Sequence, residues 1–266
     1  MTDAGQELEP IDTSTPHPAR MYNWYLGGKD WYPADREAGE QVKRFFPAVA
    51  ELAQANRRFM HRASRMLAEQ GVRQFLDIGT GIPEEPNLHQ VVQRVSPNSK
   101  VVYTDYDPIV LRHAEALLRS TPEGRTDYIQ ADVREPQKIL EAARDILNFE
   151  EPIALSMVAL LHFVSDEFKP YELVRELLEP LPHGSYLVLS HVTGDFDPED
   201  WERIVEIYRQ KGTPAQVRSR EEFADFFTGL CLLEPGVDVV TNWHLPPEQQ
   251  QETQQVPLYV GVAQKQ

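Results

Sequence analysis

From residue 74 to residue 263 the chain alternates short apolar runs with stretches whose apolar positions recur every three or four residues. The runs at 74–78, 100–104, 127–130, 152–157 and 185–191 have the length and content of strands. Between them, Leu88, Val91, Val92 and Val95 share one helical face. So do Val110, Leu111, Ala114, Leu117 and Leu118, then Ile139, Leu140, Ala143, Ile146 and Leu147, and a fourth helix falls within 170–178. Repeated βα units predict a mostly parallel sheet covered by helices on both faces. Upstream, residues 34–70 read as helical, with Phe45, Phe46, Val49, Leu52, Phe59, Met60 and Leu67 near helical spacing. Pro47 should break or begin a helix there, and Gly71 is suited to end the segment before the first strand. Downstream, a helix over 198–210 is signalled by Pro198 in its first turn and Asp197 as N-cap. Ser219 and Glu222 have capping-box spacing. Strands at 236–241 and 257–263, joined by a polar Pro/Gln-rich loop, predict an antiparallel hairpin closing the sheet. Residues 1–15 are polar, acidic and dotted with proline, and are expected to be disordered.

Charge and cysteine content narrow the classes of function. The 266 residues carry 42 acidic against 26 basic side chains, a net charge of −16 that repels polyanions, so no nucleic-acid partner is expected. The lone Cys231 offers neither an intrachain disulfide nor a zinc cluster, which fits a reducing, cytoplasmic setting. The acidic N-terminus lacks the apolar core of a signal peptide. The longest apolar run, 153–164, is too short to span a bilayer, so no membrane partner is expected. Oligomeric state is not legible in the chain.

The segment FLDIGTGIP, residues 75–83, holds the most specific chemistry. Gly79 and Gly81 lack a Cβ, so the backbone there can turn sharply and let a ligand lie against it. One helix later VVYTDYDP ends a second strand in Asp105. A strand, a glycine turn, a helix and a strand ending in an acid form the βαβ unit that holds adenosine-type ligands. Asp105 is placed to accept from both ribose hydroxyls, while Asp107 before Pro108 suits helix capping. The dinucleotide fingerprint needs a third glycine where this chain has Glu84, followed by Glu85. Carboxylates at a helix start repel a pyrophosphate unless they point away. S-adenosyl-L-methionine, which carries a sulfonium and no phosphate, is therefore the expected cofactor. An NAD-dependent oxidoreductase is the alternative on a similar unit. A second is an S-adenosylmethionine-binding sensor or partner module without catalysis.

The element order resembles the Rossmann-like sheet of class I S-adenosylmethionine-dependent methyltransferases from about residue 74 onward. The whole chain is similar to a little-characterised bacterial, actinobacterial-type family of such enzymes. The resemblance rests on the A-R-x-Y-[ND]-x-x-L-G-G-K-D signature met at 19–30, on N-R-R-F at 56–59, on F-L-D-I-G-T-G at 75–81 and on L-H-F-V at 161–164. It implies an α/β fold whose sheet is mostly parallel with an antiparallel last strand, carried by residues 73–266 beneath an N-terminal aromatic and helical cap over 16–72. It implies methyl transfer by in-line displacement and says little about the acceptor, for which the acidic charge and the N-terminal aromatic block point to a small molecule. Asp132 would accept from the adenine amino group and the Val133 amide would face a ring nitrogen. Ser156 and Met157 would run along the cofactor, leading to His162 as the candidate general base.

Further residues join the cofactor set. Thr80 lies within the glycine turn, Tyr106 follows Asp105, and Asn87 opens the next helix as a natural N-cap. In the aromatic block of Tyr22, Trp24, Tyr25, Trp31 and Tyr32, ring faces can hold a sulfonium, and Gly27 and Gly28 would let such a lid close. The same rings would equally anchor a helix on the core. Arg20, Lys29 and Arg58 are candidates to pair with the cofactor's carboxylate. His89 is expected to be exposed. No cluster has metal-ligand spacing, and His191 with Asp195 gives only a faint hint of a metal or substrate contact.

Overall fold

The structure, a computed structural model, describes residues 12–117, 119–245 and 256–266. Five strands follow the βα pattern: β1 (Gln74–Ile78), β2 (Lys100–Asp105), β3 (Arg125–Gln130), β4 (Ile153–Val158) and β5 (Tyr186–Val192). Three more close the chain: β6 (Cys231–Leu232), β7 (Asp238–Val239) and β8 (Leu258–Gln264). The sheet order is β3-β2-β1-β4-β5-β8-β6, with β7 also paired to β8. Strands β1 to β5 are parallel, and β8 runs antiparallel to β5 from Tyr186↔Gln264 to Val192↔Leu258. The chain builds outward from β1 to β3, then returns to the other side of β1 with β4. That reversal opens a crevice at the carboxyl ends of β1 and β4, where open α/β sheets take ligands.

Alternation along the strands divides the core in two. Phe75, Val101, Tyr103, Ala154 and Val188 pack on one face, with α3 (Val49–Glu69), α4 (Leu88–Val95) and α8 (Pro198–Gln210). Leu76, Val102, Leu155, Leu187 and Leu189 pack on the other, against α6 (Pro136–Arg144), α7 (Pro170–Leu178) and α9 (Arg220–Ala224). Helix α3 is long because Leu52, Ala53, Asn56, Phe59, Met60, Ala63 and Leu67 keep one buried stripe over its 21 residues. Before it stand α1 (Pro18–Tyr25) and α2 (Pro33–Phe45), and α5 (Pro108–Leu117) follows β2. Pro47 sits between α2 and α3, and Gly71 follows α3 at φ +100°, as the sequence implies.

The closing hairpin differs from expectation. The 236–241 segment yields only the two-residue β7, and β8 takes most of its hydrogen bonds from β5. Tyr259, Val260 and Val262 face both halves of the core, so burial puts β8 beside β5 rather than in a free-standing hairpin. Most of the Pro/Gln-rich loop, residues 246–255, lies outside the described residues, as do residues 1–11 of the stretch expected to be disordered. Residues 12–15 are held: Arg20 donates to the carbonyls of Asp12 and Thr15. No helix among the described residues is long and apolar enough to cross a membrane.

Candidate functional site

Strand β1 runs into the turn that the glycines predict. Gly79 and Gly81 adopt φ of +74° and +67°, where a side chain is strained, and a Cβ on Gly79 would come within 2.7 Å of Leu160. The turn is fastened to the end of β2: Gly79 N and Thr80 N donate to Thr104 O at 2.7 and 3.2 Å. Gly81 N donates to Asp105 Oδ2 at 2.8 Å, and Asp107 N reaches Asp105 Oδ1 at 3.1 Å. Asp107 in turn caps α5 through Ile109 N. Asp105 is buried, and burial raises its pKa to about 6 against the two amides that stabilise its charge. Asp77, one residue from the end of β1, is likewise raised to about 6 by burial, although it accepts from Ser156 Oγ.

These groups open into one cavity of about 450 Å³, a volume usual for small-ligand sites. Of the sequence-predicted residues, it brings together Tyr22, Gly79, Thr80, Gly81, Asp105, Tyr106, Asp132, Val133 and His162. Asp132 is gripped by Arg134, whose guanidinium meets both carboxylate oxygens, and its pKa falls below the usual range despite partial burial. The Tyr106 ring stays about half exposed at the cavity edge. His162 is buried with its Nδ1 unpartnered, and burial, with Arg218 nearby, lowers its pKa to about 3, so it is neutral.

Other predicted residues stand outside the wall. Gly28 lies against Asn23 and serves packing. Asn87 is the N-cap of α4 and accepts from Glu84 N. Ser156 holds Asp77 from behind, and Met157 is fully buried in the core below the sheet. Arg58 is corrected to its neighbour: on α3 it turns to solvent, while Arg57, one helical step round, lines the cavity and donates to the Glu84 and Pro86 carbonyls. Arg20 is buried against Asp35 at 3.2 Å, and Lys29 is exposed. Arg20 is therefore structural. His89 is buried rather than exposed, bound through its N and Nδ1 to Tyr103 OH at 2.8 Å. His191 is fully buried beside Arg218, and Asp195 accepts from Tyr259 OH and Arg220 N, so both have protein partners. Among the described residues no group of three or more His, Cys, Asp or Glu is gathered as for a metal.

The carboxylates at the glycine loop do point away. Glu84 accepts from Asn23 Nδ2 at 2.5 Å and Glu85 from Gln90 Nε2 at 3.0 Å, and neither lines the cavity. The acidity of this loop therefore does not by itself decide between a phosphate-bearing and a phosphate-free ligand. Two wall residues were not among the site candidates read from the sequence. His17, at the start of α1, is within 2.5 Å of Tyr106 OH and 3.2 Å of Asp107, tying the N-terminal segment over the end of β2. Its PHPA context signals a helix start and nothing more. Arg57 shared the N-R-R-F block with Arg58, and only helical phase separates them.

A family model described as S-adenosyl methyltransferase matches residues 4–266. The crystal structure of a DUF574 family protein from Streptomyces avermitilis is 46% identical, with 97% of this chain and 100% of that one covered and a TM-score of 0.93. A putative methyltransferase from Thermobifida fusca is 34% identical over 96% of this chain and 97% of its own, at TM-score 0.85. The plantazolicin methyltransferase BpumL, solved in complex with SAH, shares the fold at TM-score 0.51 and 13% identity, covering 93% of this chain and 95% of that one. No curated protein matches the sequence.

Proposed function

Because this chain belongs to the S-adenosyl methyltransferase family and is an S-adenosylmethionine-dependent enzyme, we propose that it methylates a small-molecule acceptor held in the cavity beside Asp105. The observation that carries the reading is the Asp105 carboxylate: buried, fixed by two backbone amides, and open to the same cavity as the Gly79–Gly81 turn. A buried carboxylate with acceptor capacity to spare suits a vicinal diol, since each hydroxyl then makes a charge-assisted bond.

The residues fit the cofactor. Asp105 holds the ribose, and Asp132 with the Val133 amide borders the adenine, with the Tyr106 ring at its side. The glycine turn leaves backbone room for the methionine portion, and Arg57 is the cation on the wall for its carboxylate. S-adenosylmethionine supplies an activated methyl group on a good leaving group. What the protein must add is alignment and exclusion of water, and its walls are mainly apolar side chains from α2, α3 and α8. His162, neutral in its buried site, accepts the proton of an acceptor that carries one. The net charge of −16 argues against a nucleic-acid acceptor.

Calorimetric titration with S-adenosylhomocysteine tests the assignment. Asp105→Ala should weaken binding about ten- to a hundredfold, the range expected for losing hydrogen bonds to a charged group. Unchanged affinity in a folded variant would mean that the ribose lies elsewhere.

A further inference from the structure

The two ends of the cavity differ in chemistry. Its carboxylates, Asp77, Asp105 and Asp132, all stand on or just after the ends of β1, β2 and β3, and Arg134 is paired with Asp132. Arg57 is engaged by two carbonyls of the glycine loop. By contrast, the wall supplied by α2, α8 and residues 212–217 contains no charged side chain. Val42, Trp201, Ile204 and Val205 form it, joined by Leu52 and Met60 of α3. A charged molecule entering this arm would lose its hydration with no counter-charge to replace it.

The polar atoms in the arm are few. Asn56 takes a hydrogen bond from Ser190 Oγ at 2.6 Å and donates to Tyr22 OH at 3.0 Å, and Tyr22 OH donates to Ala53 O at 2.9 Å. That group is satisfied within the protein. Two features are not. The Tyr25 and Tyr208 hydroxyls meet only at 3.4 Å, long for a hydroxyl pair, and the buried His162 has a ring nitrogen without a partner. An apolar chamber with a hydrogen-bond acceptor at one side and a loosely paired set of hydroxyls at another selects a particular kind of ligand.

We propose that this arm is the acceptor site, and that the acceptor is an uncharged, mainly apolar small molecule methylated on a hydroxyl of the phenol or alcohol type. The proposal rests on the methyltransferase reading above. In the transfer the new O–CH3 bond forms as the methyl C–S bond breaks with its electron pair going to sulfur. The hydroxyl proton passes to the His162 imidazole. An oxygen acquiring a methyl group becomes far more acidic than the free hydroxyl, so even a weakly basic imidazole suffices. The Tyr25–Tyr208 pair orients a second polar atom of the acceptor or, if there is none, closes on itself.

Three naphthalenes of similar size separate the possibilities: 1-naphthol, 1-naphthoate and 1-naphthylmethylammonium. Each is titrated calorimetrically into the purified protein, with and without saturating S-adenosylhomocysteine. The expected result is that naphthol binds at least tenfold tighter than either ion, binds alongside S-adenosylhomocysteine, and is weakened at least tenfold by Ile204→Trp, which fills the arm. Val42→Phe, a smaller intrusion from another helix, serves if the tryptophan variant does not fold. Absence of naphthol binding, equal or tighter binding of an ion, or mutual exclusion with S-adenosylhomocysteine would overturn the proposal. Selective naphthol binding by a protein that gives no binding heat when titrated with S-adenosylhomocysteine itself would uphold the arm and sink the cofactor assignment instead, so the two failures read differently.

Discussion

At the scale of single residues, the proposed ribose contact makes Asp105 the group expected to set the pH response of the site. Its pKa of about 6 arises because burial outweighs the amides of Asp107 and Gly81. A diol hydrogen-bonds the ionised form, so protonation competes with binding. Affinity for 5′-methylthioadenosine, which lacks the amino-acid portion and so reports on this end alone, should rise as pH increases from 5 to 7 and level off above. Below pH 6 the slope approaches about tenfold per unit for one proton. Titrations across that range check it, and Asp105→Asn should flatten the profile. A flat profile in the wild type would show that Asp105 is already ionised at pH 5. Much of this site was legible because glycines and acids at strand ends have few other uses. What escaped was set by helical phase and tertiary reach: nothing in N-R-R-F says which arginine faces inward, and His89 is buried only because Tyr103 on β2 accepts it.

At the scale of elements, the two N-terminal helices α1 and α2 are tied to each other by a small polar network. Arg20 and Asp35 are both buried, and Asp35 also accepts from the amides of His17 and Tyr32, each at 2.8 Å. Removing one partner of such a pair strands the other charge, which costs about 3–5 kcal/mol. Arg20→Met should therefore lower unfolding stability by that order in urea titrations, and a loss under 1 kcal/mol would show the pair to be dispensable. Asn23 joins the cap to the glycine loop through Glu84, and also accepts from Asp30 N. A Cβ on Gly28 would fall 2.2 Å from Asn23 Nδ2, so Gly28→Ala must displace that side chain. A cost of about 1–3 kcal/mol is expected for such overpacking, read from the same denaturation, and wild-type stability would show that Asn23 can relocate freely. The helices themselves followed from periodicity and caps: α8 has the predicted bounds, and Ser219 and Glu222 make the capping box. The closing strands were harder, because β6 and β7 are two residues each and exist only through pairing with β8. Local pattern carries little signal for a strand whose stability is borrowed from its neighbour.

Over the whole molecule, two titrating populations oppose each other, and their balance predicts how the protein responds to acid. His162 and His191 are fully buried and held neutral, with pKa values lowered by burial first. Unfolding lets them take up protons below pH 6.5, so each removes stability as pH falls, at most about 1.4 kcal/mol per unit. Asp77 and Asp105, with folded values of about 6, act in the other direction: the folded state binds their protons more tightly, adding stability between about pH 6 and 4. Glu84, also raised by burial, shares the sign of these two carboxylates, so three groups stand against the two buried histidines once all are titrating. The decision then falls to His17, His61 and His89, all lowered mainly by burial. They share the sign of the buried histidines, and between pH 6.5 and 6 the raised carboxylates are at most about half protonated and offset them only in part. The opposing influence is the net charge of −16, whose self-repulsion eases on acidification. That charge is spread over a surface where salt screens it within about 8 Å at physiological ionic strength, whereas the buried imidazoles are hardly screened. Stability should accordingly fall from pH 7.5 through 6.5 to 5.5 in urea titrations at 0.15 M salt, with His61→Gln reducing the fall. A rise over that interval would mean that surface repulsion, not the buried histidines, dominates the folded state's response to protons.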